Sequence, residues 1–208
     1  MFAVDTAEFV AAIKRAVPHT AKSNQNTPVL EAVRLTTVGD SLVLSATDRY
    51  TMIECRVRLR DDATASQHPL DVLIPAGALK SLVPMIKARN ITEVVPDGGA
   101  TVFDGVRLEH QPGDFPATGR LWPEKLHPVS ADSVALGVDN LKKLVSLRVS
   151  ARDGDPIRFH GTVDPELELG TNKPLVVLYG ADTRVLVMPM RFNHADNGWQ
   201  EWAALPTS

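Results

Sequence analysis

The stretch from Leu42 to Leu59, LVLSATDRYTMIECRVRL, constrains the fold more than any other part of the chain. Leu42, Leu44 and Ala46 alternate with Val43 and Ser45, and Ile53, Cys55, Val57 and Leu59 alternate with Glu54, Arg56 and Arg58. Successive side chains on a pleated backbone point opposite ways, so this period gives each strand one buried and one solvated face. Between the runs stands a polar corner, Thr47-Asp48-Arg49, where the Asp48 carboxylate can accept from nearby backbone N–H groups and fix a turn. The stretch is expected to be a β-hairpin in an antiparallel sheet.

The flanking sequence repeats one plan. Residues 2–4 suit a short strand, and Asp5 with Glu8 three positions on forms a helix start of capping-box type. Phe9, Ile13 and Ala16–Val17 make the apolar stripe of that helix, with Lys14 and Arg15 off it. Pro18 ends it, and residues 19–27 read as an exposed polar loop carrying Lys22. Strands are expected at about 30–38, 41–47 and 50–60. A strand at about 70–74 then leads into a helix at about 76–88 with Leu79, Leu82, Val83 and Ile86 as its stripe, and Lys80 and Lys87 on another face. Pro84 should kink or shorten this helix, since it removes a backbone donor. Strands follow at about 91–95, 100–104 and 106–111. The plan begins again after Gln111–Pro128, a segment with four prolines that reads as a boundary. Residues 133–137 suit a strand, Asp139 a helix cap, and Leu141, Leu144 and Val145 a stripe flanked by Lys142, Lys143 and Arg148. Strands at about 156–163, 174–179 and 184–192 complete it.

Three tetrapeptide-scale segments now carry a family resemblance. Thr27-Pro28-Val29-Leu30, a strand and Ala46-Thr47-Asp48-Arg49-Tyr50 are similar to the repeating unit of the bacterial DNA polymerase III β sliding clamp family. Gly113-Asp114-Phe115-Pro116 resembles the segment closing that family's first domain, and Val187-Met188-Pro189-Met190-Arg191-Phe192 resembles its C-terminal tail. The resemblance implies an α+β sliding-clamp fold of repeated β-α-β-β-β units, with antiparallel sheets outside and helices lining a ring. It divides the chain into a complete clamp domain at 1–116, a C-terminal half domain of one unit at 117–192, and a tail at 193–208 containing Trp199 and Trp202.

The function it implies is that of a shortened, phage-like processivity clamp that encircles duplex DNA and tethers a polymerase. The helix cations Lys14, Arg15, Lys22, Lys80, Lys87, Lys142, Lys143 and Arg148 would then face DNA. Sliding needs diffuse, sequence-blind attraction to phosphates, which flexible lysines supply. Polymerase and clamp loader would dock a short hydrophobic motif in a groove with Thr47, Arg49, Tyr50 and Met52 on one wall and Val187, Met188, Pro189 and Met190 on the other. The family's corner carries Gly-His-Arg-Leu where this chain has Arg49-Tyr50-Thr51-Met52. The family ring holds twelve units, so three per chain favours a homotetramer, with a trimer second. An unpaired third unit would expose a sheet edge and an apolar helix face unless a second copy covered them.

Composition sets the limits of other readings. The formal net charge of −3 gives no global attraction to nucleic acid, so any DNA-binding surface must gather its cations locally. The single cysteine, Cys55, forms no intrachain disulfide, suits a reducing cytoplasm, and reads as core on its apolar strand face. No run is long enough to span a bilayer, and the start lacks a signal-peptide pattern. His19, His68, His110, His127, His160 and His194 have no ligand-like spacing, and no phosphate-loop, dinucleotide or Gly-x-Ser-x-Gly pattern is present. A non-enzyme without metal or cofactor is expected. The rival is a clamp-like interaction module that binds clamp partners or a clamp protomer without closing a ring.

Overall fold

A computed structural model describes residues 1–22, 27–60, 64, 67–129, 134–150, 154–162 and 173–190. The first unit comprises β1 (Phe2–Asp5), α1 (Thr6–Ala16), β2 (Ala32–Val38), β3 (Ser41–Thr47) and β4 (Thr51–Arg58). The second has the same order, with β5 (Asp71–Pro75), α2 (Ala76–Ile86), β6 (Ile91–Asp97), β7 (Ala100–Phe103) and β8 (Val106–Glu109). The third contributes α3 (Val138–Val145), β9 (Ile157–Gly161), β10 (Leu175–Tyr179) and β11 (Thr183–Val187).

Local chemistry accounts for most boundaries. Asp5 caps α1 by accepting the Glu8 N–H at 3.0 Å. Pro84 is accommodated without breaking α2, which runs on to Ile86. Other expectations fail locally. Residues 134–137 form no strand; instead the Ala135 carbonyl accepts the Met190 N–H at 2.8 Å. The cap of α3 is Gly137, and Asp139 lies in the first turn. Residue 19 is not in an exposed loop, because the single turn after α1 tucks His19 under β3 and β4, fully buried.

The units interlock by exchanging their first strands. β1 joins β6, β7 and β8 in a four-stranded sheet, and β5 joins β2, β3 and β4. Both sheets enclose one core with α1 and α2, in which Phe9 stacks on Phe103 at 5.5 Å. The expected hairpin is present as β3–β4, with Leu44 opposite Cys55 and Ala46 opposite Ile53. Cys55 is core, as its strand face implied.

The free edge of β4 does not meet solvent. β11 pairs with it antiparallel, extending the sheet to seven strands in the order β5-β2-β3-β4-β11-β10-β9. Pairing satisfies backbone groups that an open edge would leave to water or to aggregation. Val177, Tyr179, Val185 and Val187 thereby join the main core, with Leu144 and Leu147 above them. The buried face of the third helix therefore centres on Leu144, while Leu141 and Val145 of the expected stripe are exposed.

Candidate functional site

The corner between β3 and β4 is built by one carboxylate. Asp48 Oδ1 accepts the N–H groups of Tyr50 (3.1 Å) and Thr51 (2.8 Å) and the Thr51 hydroxyl (3.0 Å). The Thr47 hydroxyl donates to the Thr51 carbonyl at 2.8 Å and accepts the Arg49 N–H at 3.2 Å. This network holds Arg49 at φ 79°, a left-handed conformation that a residue with a Cβ adopts only under constraint. Tyr50 is consequently lifted from the sheet and is 61% exposed.

The two expected walls are neighbours. Val187 lies opposite Thr51 in the β4–β11 ladder, and just beyond it the Met188 N–H donates to the Tyr50 carbonyl at 2.9 Å. Of the eight groove residues, Arg49, Tyr50, Met188 and Met190 are exposed and Pro189 is half-buried. Thr47 and Val187 are buried, the first in the turn network and the second in the core. Met52 points to the opposite face from Ile53 and packs with Val176 and Leu186 beneath Trp122. The Trp122 indole N–H donates to Glu54 at 3.0 Å, and Arg184 stacks on its ring at 4.1 Å while pairing with the same carboxylate. The proline-rich boundary segment is thus a strap across the outer sheet face. Sequence reading passed over it; its one signal was a tryptophan among turn residues.

The cations divide into two groups. Lys14, Lys22, Lys80, Lys87, Lys142 and Arg148 are exposed, and α1 and α2 pack side by side. Lys142 lies 3.5 Å from Asp139, a solvated pair that holds it weakly. Arg15 and Lys143 are corrections. Arg15 is buried: its guanidinium donates to the Leu147 carbonyl (2.9 Å), Asp182 (3.3 Å) and Thr183 (3.4 Å), and lies 5.0 Å from the centroid of the Tyr179 ring. It serves the junction between the first and third units, because its side chain reaches from the last turn of α1 to Leu147, just beyond α3. Lys143 turns inward to pair with Asp48 Oδ2 and lies 3.3 Å from the Thr51 hydroxyl.

Charge around the corner follows from burial. Desolvation pushes the Asp48 carboxyl up, but hydrogen bonds from Lys143 and Thr51 outweigh it and hold the group below its ordinary range. His19 lies close enough to feel both charges; burial, reinforced by Lys143 and opposed by Asp48, pushes it down to about 3. Among the described residues, neither of its ring nitrogens has a hydrogen-bond partner. Burial drives the Cys55 thiol up to about 12, which makes it inert as a nucleophile.

No protein-family model matches the chain, and no curated protein matches it in sequence. Solved structures do match in shape. The DNA polymerase sliding clamp of Bacillus subtilis superposes with a TM-score of 0.70 at 16% identity, covering 92% of this chain and 64% of that one. A putative DNA polymerase III β subunit from Eubacterium rectale gives 0.70 at 9% identity, over 91% and 65% of the two chains. The DNA polymerase III β subunit of Thermotoga maritima gives 0.64 at 14%, over 93% and 65%. The chain therefore has the sliding-clamp fold and spans just under two thirds of the length of these clamps.

Proposed function

With the sliding-clamp fold as its starting point, we propose that this protein is a processivity clamp that encircles duplex DNA and tethers a polymerase by a hydrophobic peptide groove. The observation that carries the reading is the β4–β11 ladder, which brings the Asp48 corner and the Met188–Met190 tail side by side with Tyr50, Met188 and Met190 displayed. Methionines suit a surface serving several partners, since their side chains adapt to different shapes. Lys14, Lys22, Lys80, Lys87, Lys142 and Arg148 are the DNA-facing set of this proposal, without Arg15 and Lys143.

The proposed ring is a homotetramer. Supporting it, α3 exposes Val138, Leu141 and Val145 at 66%, 43% and 71%, and β9 exposes Phe159 at 41%. Among the described residues, the outer edge of β9 meets only the isolated bridge between His127 and Gly161. In the first two units the corresponding edges of β2 and β6 are filled by exchanged strands. A second copy of the third unit, related by a two-fold axis, would lie over both.

The test is retention on circular duplex DNA after changing Lys80, Lys87 and Lys142 to Glu. Loss of several phosphate contacts should weaken low-salt retention by roughly ten-fold or more, with the fold intact. Wild-type protein that slides off linear DNA but stays on nicked circles supports encirclement; no retention on circles favours the interaction-module reading. A solution mass of three chains would replace the tetramer with a trimer.

A further inference from the structure

We infer that Lys143 is the positioning residue of the proposed groove, fixing the Asp48 corner from α3 and so setting how Tyr50 and Thr51 are presented beside Met188. The inference rests on the groove reading above. Asp48 and Tyr50 belong to the first unit, whereas Lys143 and Met188 belong to the third. The β4–β11 ladder joins the two walls along their backbones, and the Lys143–Asp48 pair joins them a second time through side chains.

The corner needs this second tie. Its left-handed Arg49 is a conformation that persists only where surrounding contacts over-determine it. Asp48 supplies those contacts with one oxygen facing the corner's donors and the other facing Lys143. The side chains of Lys143 and Asp48 are only 15% and 14% exposed, so water cannot readily replace either partner. His19 sits fully buried nearby and neutral, leaving Asp48 as the countercharge for Lys143 among the described residues. Without Lys143, the carboxylate is drawn toward solvent and its hold on Tyr50 and Thr51 loosens.

The experiment compares wild type with Lys143→Met in three measurements. These are anisotropy of a fluorescein-labelled peptide ending in Leu-Phe, hydrogen exchange at the Tyr50 and Thr51 amides, and retention on nicked circular DNA. A corner ordered about one tenth of the time raises the apparent Kd about ten-fold. The expected result is that loss, faster exchange at both amides, and unchanged DNA retention, with Lys143→Arg restoring most of the affinity. A folded Lys143→Met protein with wild-type exchange at both amides overturns the inference, whatever the peptide does. Wild-type protein that ignores the peptide defeats the groove reading and with it the groove role of Lys143. DNA retention that falls in step with peptide binding overturns the inference by making Lys143 a phosphate ligand. If Lys143→Met does not fold, Lys143→Gln carries the same comparison, since it keeps an N–H donor to Asp48 but not the charge.

Discussion

Arg15→Met should weaken the fold while leaving DNA retention unchanged. Methionine keeps the stem's apolar packing and removes only the guanidinium. The Leu147 carbonyl, which accepts from Arg15 Nε at 2.9 Å in a buried setting, then loses this donor, at a cost of ~1–3 kcal/mol. The guanidinium 5.0 Å from the Tyr179 ring centroid contributes ~1 kcal/mol more through its attraction to the ring face. The contact with Asp182, whose side chain is 47% exposed, adds less than about 1 kcal/mol because solvent screens it. The expected loss is about 3 kcal/mol, a fall in Tm of roughly 6–12 °C for a chain of this size. Urea and thermal unfolding followed by circular dichroism measure it. A loss below about 1 kcal/mol would refute the junction role. Unaltered stability with impaired DNA retention would return Arg15 to the DNA-facing set.

Three further outcomes are expected. Tyr50→Ala with Met188→Ala should lower affinity for a hydrophobic peptide by roughly ten-fold or more, since losing a central anchor costs ~2 kcal/mol, and coincident titrations would displace the groove. His19 has an ordinary value of 6.5 and is held near 3 by burial, so its contribution is complete above pH 6.5 and is lost as pH falls toward 3 while only the unfolded chain takes up the proton. Wild type should therefore lose roughly 2 kcal/mol more than His19→Leu between pH 7 and pH 5 in urea titrations, and equal slopes would refute this. The Cys55 thiol should react with a disulfide reagent only as fast as the protein unfolds; rapid labelling of native protein would contradict its burial.

Period-two runs such as Leu42–Ala46 and Ile53–Leu59 were sufficient to place β3, β4 and their hairpin, because alternation records which side of one backbone is dry. The Asp5 cap and the corner role of Asp48 were equally legible, since both act on N–H groups within three residues of the carboxylate. The exchange of β1 and β5 between units, and the pairing of β4 with β11, were not: nothing in a strand's own letters names a partner that lies far away along the chain. The same limit explains the misplaced side chains. Arg15 and Lys143 stand beside apolar stripes, where a cation is solvated unless another element packs over it. Here the third unit packs over the first at both places, covering Arg15 with the Leu147 carbonyl and Tyr179 and turning Lys143 onto Asp48. Leu141 and Val145 fail in the opposite sense, apolar residues at helical spacing that nothing in this chain's described residues covers. Sequence alone determined most of the strands and helices, though it placed a strand at 133–137 where residues 134–137 form none, and how their turns close, because those forces act between near neighbours. The tertiary structure alone decided which charges are buried and which apolar faces are left open, because burial depends on what arrives from elsewhere in the chain.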